Sequence, residues 1–360
     1  MNRLLIILAM AIGMLSLPFM ARAEEDAKAN EPINPKEIIF EHLGDAYGWE
    51  VPFNHHVRIP LPIIVKAKDG GFHVFSSARI QHGEEYTDDG CTFMLAPYGS
   101  KYEGKVVQII DGEEYRPLDI SITKNVAALF VSLILVSGLM LWLASWYRRH
   151  GYKAPRKGLG AVEACVEFVY EGVVKSTLGD EAKKFAPYLL TAFFFILGMN
   201  LLGLIVVFPG GANLTGNIAV TLVMAILTFL VTNLNGTKHY WKEIFWPDVP
   251  LWLKFPIPIM PIIEIFGMFT KPAALTVRLF ANMMGGHMIV IVLTLLIFIF
   301  SYMSPLAGGA TTVVSLVFSV FMLLIDVLVS FIQAYVFTML STIFISLARD
   351  KGHEAAPHKA

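Results

Sequence analysis

An all-α polytopic membrane protein is what this sequence predicts. It should have five membrane-crossing helices, one interfacial amphipathic helix, and a small exported N-terminal region with some β structure. Three observations lead there. Hydrophobic residues make up 55% of the 360 and charged residues only 16%, a balance that soluble domains do not show. The apolar residues gather in tracts at about 126–147, 186–208, 216–235, 255–300 and 312–347. Each is close to or above the ~20 residues that cross about 30 Å of hydrocarbon. Finally, the loops between tracts alternate between basic and uncharged, as the positive-inside rule requires. The net charge of -1 and the lack of any basic domain leave no nucleic-acid reading.

The N-terminus reads as a secretory signal over residues 1–23. Arg3 supplies the positive start, Leu4 to Leu17 the short apolar run, and Ala21-Arg22-Ala23 the small-residue cleavage site. Residues 24–119 follow as an exported, water-facing region rich in Gly, Pro and charge. GFHVFSSARIQ and GKVVQII have strand composition, set off by the turn signals Asp69-Gly70-Gly71 and Asp111-Gly112. His55, His56, His73 and His82 lack metal-ligand spacing, so no metal is expected. Cys91 and Cys165 fall on opposite sides of the membrane in this reading, so no disulfide joins them.

Residues 120–350 form the membrane domain, and 351–360 a cytoplasmic tail. Arg148, Arg149, Lys153, Arg156 and Lys157 follow the first tract with no acid among them. The loop around Pro209 to Thr215 has no charge, Lys238, Lys242 and Lys254 lie between the third and fourth tracts, the loop near Ser301 to Ala310 has none, and Arg349 and Lys351 follow the last. This alternation predicts an outside N-terminus, five crossings and an inside C-terminus. The segment 159–184 differs: Val162, Val166, Val169 and Val173 recur at helical spacing with Glu163, Glu167, Glu171 and Lys175 between them. It is too charged to span and suits the cytoplasmic interface.

The last two tracts are longer than a crossing requires. From 255 to 300 a single helix would measure about 69 Å, and from 312 to 347 about 54 Å. Either each breaks, with Pro272 and Gly285-Gly286 as the candidate points, or both lie steeply tilted, beyond the usual ~20°.

The polar residues inside these tracts carry the chemistry. Arg278 sits mid-tract, where a charge costs about 2.5–3.5 kcal/mol on insertion scales and arginine cannot escape by deprotonating. Glu264, Lys271, Arg278 and Gly285 are seven residues apart and form one slowly drifting stripe. Asn282 lies one turn beyond Arg278 near the same face, and His287 roughly opposite. Ala273, Ala274, Ala281, Gly285 and Gly286 allow another backbone to approach closely. On the last helix Asp326, Ser330 and Gln333 share a face. Antiparallel packing of the two helices would make His287 and Asp326 partners, and such a pair can accept and pass a proton. The plainer roles are an interfacial Glu264, a snorkelling Lys271 and hydrogen-bonding glue at Asn282 and Gln333.

The stretch KPAALTVRLFANMMGGHMI, with Glu264 upstream and FIQAYVFTML downstream, closely resembles subunit a of the F-type ATP synthase. The resemblance extends over roughly 120–350 and includes NLTGNIAVTLVMA and EFVYEGVVKSTLG. It implies a proton-channel subunit, without catalysis or cofactor of its own, that offers two half-channels to a rotating ring of c subunits and meets the b subunits of the peripheral stalk in the bacterial inner membrane. By resemblance Arg278 matches the essential arginine, Asn282 and Gln333 its polar neighbours, and Glu264 the acid of the cytoplasmic exit path. One departure is that His287 stands where the family often has Glu, and Asp326 where it often has His. The acid and the histidine look exchanged while the pair is kept. The absence of a Walker A motif fits a subunit that does not bind nucleotide. The alternative reading is a secondary transporter that binds an anionic substrate at Arg278, but no paired repeats are evident. A plain membrane anchor would leave Arg278, His287 and Asp326 without a role.

Overall fold

The N-terminal region builds its strands where alternation and turn residues coincide. The computed structural model describes residues 44–51, 54–68, 70–80, 84–97, 99–110, 112–151, 153–155, 158–205, 211–246, 259–303 and 305–350. The expected signal segment, residues 24–43 and the 351–360 tail lie outside the described residues. The strands are β1 (Gly48–Val51), β2 (Asn54–Pro60), β3 (Pro62–Lys66), β4 (Phe72–Ser76), β5 (Tyr86–Asp88), β6 (Cys91–Leu95), β7 (Val106–Ile110), β8 (Glu113–Tyr115) and β9 (Leu118–Asp119). They form three antiparallel sheets in the orders β1-β2, β4-β3-β9 and β5-β6-β7-β8. Gly70 and Gly112 adopt φ of 90° and 82°, which the turns need and glycine supplies without steric cost.

Alternating side chains of β3 and β4 point inward: Ile63, Val65 and Phe75 join Tyr47, Ile80, Phe93 and Val106 in one apolar core. Two polar pairs sit at its margin. The Tyr47 hydroxyl donates to Asp119 Oδ2, and burial followed by that carboxylate raises the phenol above the ordinary tyrosine range. His73 is buried, with Nδ1 3.0 Å from Asp88 Oδ2 and its ring against Phe93.

The strand register carries directly into the membrane part. Ile120 N–H and Ile122 N–H donate to the carbonyls of Ile64 and Pro62, and Lys124 N–H to that of Ala46. The first long helix then begins: α1 (Lys124–His150). The other helices are α2 (Gly158–Val169), α3 (Ala182–Leu204), α4 (Ile218–Leu234), α5 (Lys238–Phe245), α6 (Ile259–Met303) and α7 (Pro305–Arg349). Between α2 and α3 the chain makes a π-helical segment at Tyr170–Lys175 and short turns to Glu181, with Gly179 at φ 54° breaking the run. Val169, Val173 and Val174 are buried there while Glu167, Glu171 and Lys175 face outward, the last two paired at 2.7 Å.

Among the described residues four helical stretches are long and apolar enough to cross a membrane, and five if α4 and α5, bent by 104° at their junction, count as one. The bend has a local cause: Thr237 caps α5 by accepting from Tyr240 N–H at 3.2 Å, and its own N–H donates to Ala348 O. Of the two alternatives left open for the longest tracts, the helices take the unbroken one. Both α6 and α7 run 45 residues, and α6 continues through Pro272 and Gly285-Gly286. Thr276 Oγ1 bonds Pro272 O at 2.9 Å, and the glycines stay helical because a membrane helix keeps its backbone bonds internal.

The chain divides into two compact units, one with residues up to Val131, Leu202–Leu214 and Gly286–Leu324, the other with Ser132–Leu201, Thr215–Gly285 and the chain from Ile325. In the second unit α1 and α3 meet closely at Gly198, where a Cβ would lie 2.8 Å from Val136 Cγ2. Phe168, Phe193, Phe331 and Tyr335 form an aromatic cluster at centroid distances of 5.4–6.3 Å.

Candidate functional site

The second unit holds most of the residues the sequence singled out. On α6, Leu275, Thr276, Leu279 and Met283 are buried. The adjoining face, made of Ala273, Ala274, Val277, Arg278 and Ala281, is exposed. A Cβ built on Gly285 would meet open space. Five positions of low relief thus surround one long cationic side chain. Among the described residues no carboxylate lies within ion-pair distance of the Arg278 guanidinium. A fixed charge left unpaired on an apolar helix face awaits a counter-ion from elsewhere.

One turn along from Arg278, Asn282 Nδ2 donates to Gln333 Oε1 at 2.7 Å. Gln333 is buried, so this bond prevents a stranded amide. It also fixes α6 against α7 beside the arginine. Ser330, equally buried, donates back to Asp326 O at 2.7 Å. The buried face of α7 continues as Ala334, Phe337, Thr338, Ser341, Thr342 and Ile345, mostly small residues. Small residues let helices approach where no hydrophobic effect drives association.

The remaining candidates spread outward. Glu264 is exposed near the start of α6. Lys271 Nζ lies 5.5 Å from the Phe344 ring centroid, a cation–π contact. It borders a small cavity with Thr228, Thr232, Asn233 and Tyr240. Gly286 and His287 belong to the first unit, and Asp326 to the second. Both ionisable side chains are half-buried.

Three features escaped the sequence reading. Arg349, counted there only as a topogenic charge, makes a two-pronged pair with Glu181 at 2.6 and 2.5 Å and donates to Asn235 O at 3.3 Å. Thr215 donates to Asn200 at 2.7 Å, both fully buried. The Tyr188 hydroxyl meets Thr228 at 2.7 Å. Long-range pairs of this kind leave no periodic trace. Only the presence of Asn and Thr inside apolar tracts marked them.

The fold and site define a multi-pass membrane protein that presents an exposed arginine beside small residues on the face of a long apolar helix. The family model for the ATP synthase A chain matches residues 126–346, and one described as a domain of unknown function matches 38–124. ATP synthase subunit a of Chlorobium phaeobacteroides strain DSM 266 is 39% identical over 78% of this chain and 80% of its own. ATP synthase subunit a 2 of Prosthecochloris aestuarii is 42% identical over 78% and 86%. ATP synthase subunit a of Myxococcus xanthus is 38% identical over 73% and 83%. The chain belongs to the ATP synthase A chain family, the non-catalytic proton-channel subunit in the membrane sector of the F-type ATP synthase.

Proposed function

We propose that this chain forms two offset half-channels against a rotating ring of c subunits and that Arg278 separates them. Protons enter from the outer side through His287, Asp326, Asn282 and Gln333 and neutralise a ring carboxylate in mid-membrane. After nearly a full turn that carboxylate releases its proton toward the cytoplasm past Glu264. Lys271, Ser330, Gly285 and Gly286 support the path. The arginine favours the ionised ring carboxylate and repels a free proton, so protons cannot pass straight from one half-channel to the other. The driving force is about 2.3 kcal/mol per charge per 100 mV.

The observation that carries this reading is the exposed, small-residue face around Arg278 with no carboxylate within ion-pair distance among the described residues. A moving partner must leave as well as arrive, and a permanent internal salt bridge would deny it the charge. Residues 1–23 are a signal peptide in this account, and 24–119 face the periplasm of a bacterial inner membrane. The membrane domain crosses five times, with 159–184 interfacial, and the C-terminus is cytoplasmic. At about 67 Å each, α6 and α7 must tilt steeply to remain within the bilayer, and so wrap against the ring. The b subunits contact the chain away from the ring.

Crosslinking tests the docking face. Cysteines at Ala274 and Ala281, in the assembled complex, should form disulfides with cysteines on the outer helix of a c subunit. A cysteine at buried Leu279 should not. Crosslinks only from Leu279 would sink this assignment.

A further inference from the structure

The exported region carries an apolar face that the proton path does not use. Strands β3 and β4 turn Ile63, Val65 and Phe75 into the core, so alternation sends Ile64, Lys66, Phe72 and Val74 to the opposite side. Leu118 and Ile120, on the strand paired to β3, lie on that same outer side. The exposures are large: 63% for Phe72, 65% for Val74, 60% for Leu118 and 57% for Ile120. A contiguous apolar patch of this kind on a water-facing domain marks an interaction surface. Its single charge is Lys66, with Nζ 5.6 Å from the Phe72 centroid. Asp119, which interrupts Leu118 and Ile120 in sequence, turns inward to Tyr47.

We infer that this sheet face is a docking surface for the outer leaflet of the bilayer, resting on the reading of α1 as a membrane helix. Three facts select lipid as the occupant. The chain bearing Leu118 and Ile120 enters α1 only four residues after Ile120, with the alternate N–H groups of Ile120, Ile122 and Lys124 hydrogen-bonded to β3 carbonyls or to Ala46. The Asn125 N–H also donates to Asp45 Oδ1 at 3.1 Å. The sheet therefore has no slack with which to leave the membrane surface. The exposed apolar surface resumes on the first turns of α1 at Val126 and Phe130, so the patch borders a lipid-facing one. Its composition of aliphatics, one phenylalanine and a lysine with its stem along the ring is that of a surface seated at the headgroup boundary.

The test uses the assembled complex in vesicles of phosphatidylcholine and phosphatidylglycerol, in a C91S/C165S background. A bimane probe is placed singly at Val74→Cys, Leu118→Cys, Phe130→Cys and Thr87→Cys, and doxyl-labelled phosphatidylcholine is the quencher. Quenching at Val74 and Leu118 should approach that at Phe130 and be several times that at Thr87, and Lys66→Glu should lower it. If Phe130 is quenched while Val74 and Leu118 match Thr87, the proposal is overturned and the membrane reading of α1 stands. If Val74 and Leu118 resist a water-soluble thiol reagent yet escape lipid quenching, a protein partner covers the face and the proposal is likewise wrong. If Phe130 itself escapes quenching, the membrane placement fails first and takes the proposal with it.

Discussion

Arg278 gains its meaning from what surrounds it: exposed alanines on its own face, an amide bond one turn away, and no carboxylate within ion-pair distance among the described residues. The Asn282–Gln333 bond invites a direct prediction. Gln333→Leu removes both the partner and the buried amide, whereas Asn282→Leu strands the Gln333 side chain at a cost of about 1–3 kcal/mol. A double-mutant cycle on the thermal stability of the complex should therefore show coupling, with Asn282→Leu the worse single change. Additive effects would mean the bond is unimportant. For His287 and Asp326 the expected outcome is rescue: His287→Asp and Asp326→His each lower ATP-driven proton pumping, and the two together restore a good part of it. A double variant no better than either single would count against a shared role of the two residues in the proposed proton path. Tyr47 offers a pH test. Its folded-state pKa lies above the unfolded value of about 10. Its contribution is thus whole below that value and falls as pH rises through the folded one, because the unfolded chain sheds its proton first. Unfolding of the N-terminal β region should show an alkaline loss of stability that Tyr47→Phe reduces.

Helices show where sequence reading succeeded and where it stopped. Apolar length located the long tracts. The heptad stripe from Glu264 to Gly285 was visible because one helix imposes one period. The continuity of α6 through Pro272 was not, since a proline's local cost can be met by neighbours that only the fold brings close. The π segment at Tyr170–Lys175 likewise left no mark in the sequence. The Glu181–Arg349 and Asn200–Thr215 pairs join residues far apart in sequence, beyond the reach of any periodic argument. Gly198 gives a prediction at this scale. Gly198→Ala places a methyl against Val136, an overpacking worth about 1–3 kcal/mol. The melting temperature of the complex should fall, and adding Val136→Ala should recover much of the loss. No rescue would mean that the α1–α3 approach is not what Gly198 serves.

The molecule as a whole joins two kinds of material. An N-terminal β region is stitched by backbone hydrogen bonds to the start of the first long helix, and the family match from 126 to 346 begins where the stitch ends. Within that domain the helices bury Thr and Ser side chains beside large apolar ones such as Phe193, Ile196, Leu279 and Phe337, and leave many further aliphatics exposed, as expected where lipid replaces water. The central claim is that Arg278, without a carboxylate at ion-pair distance among the described residues, converts two leaks into a coupled path. Its most direct measurement is ATP-driven proton pumping by inverted vesicles bearing the complex with Arg278→Ala. The account predicts assembled complex, intact ATP hydrolysis in the detached catalytic sector, and loss of pumping. Pumping retained near the unmodified level would contradict it.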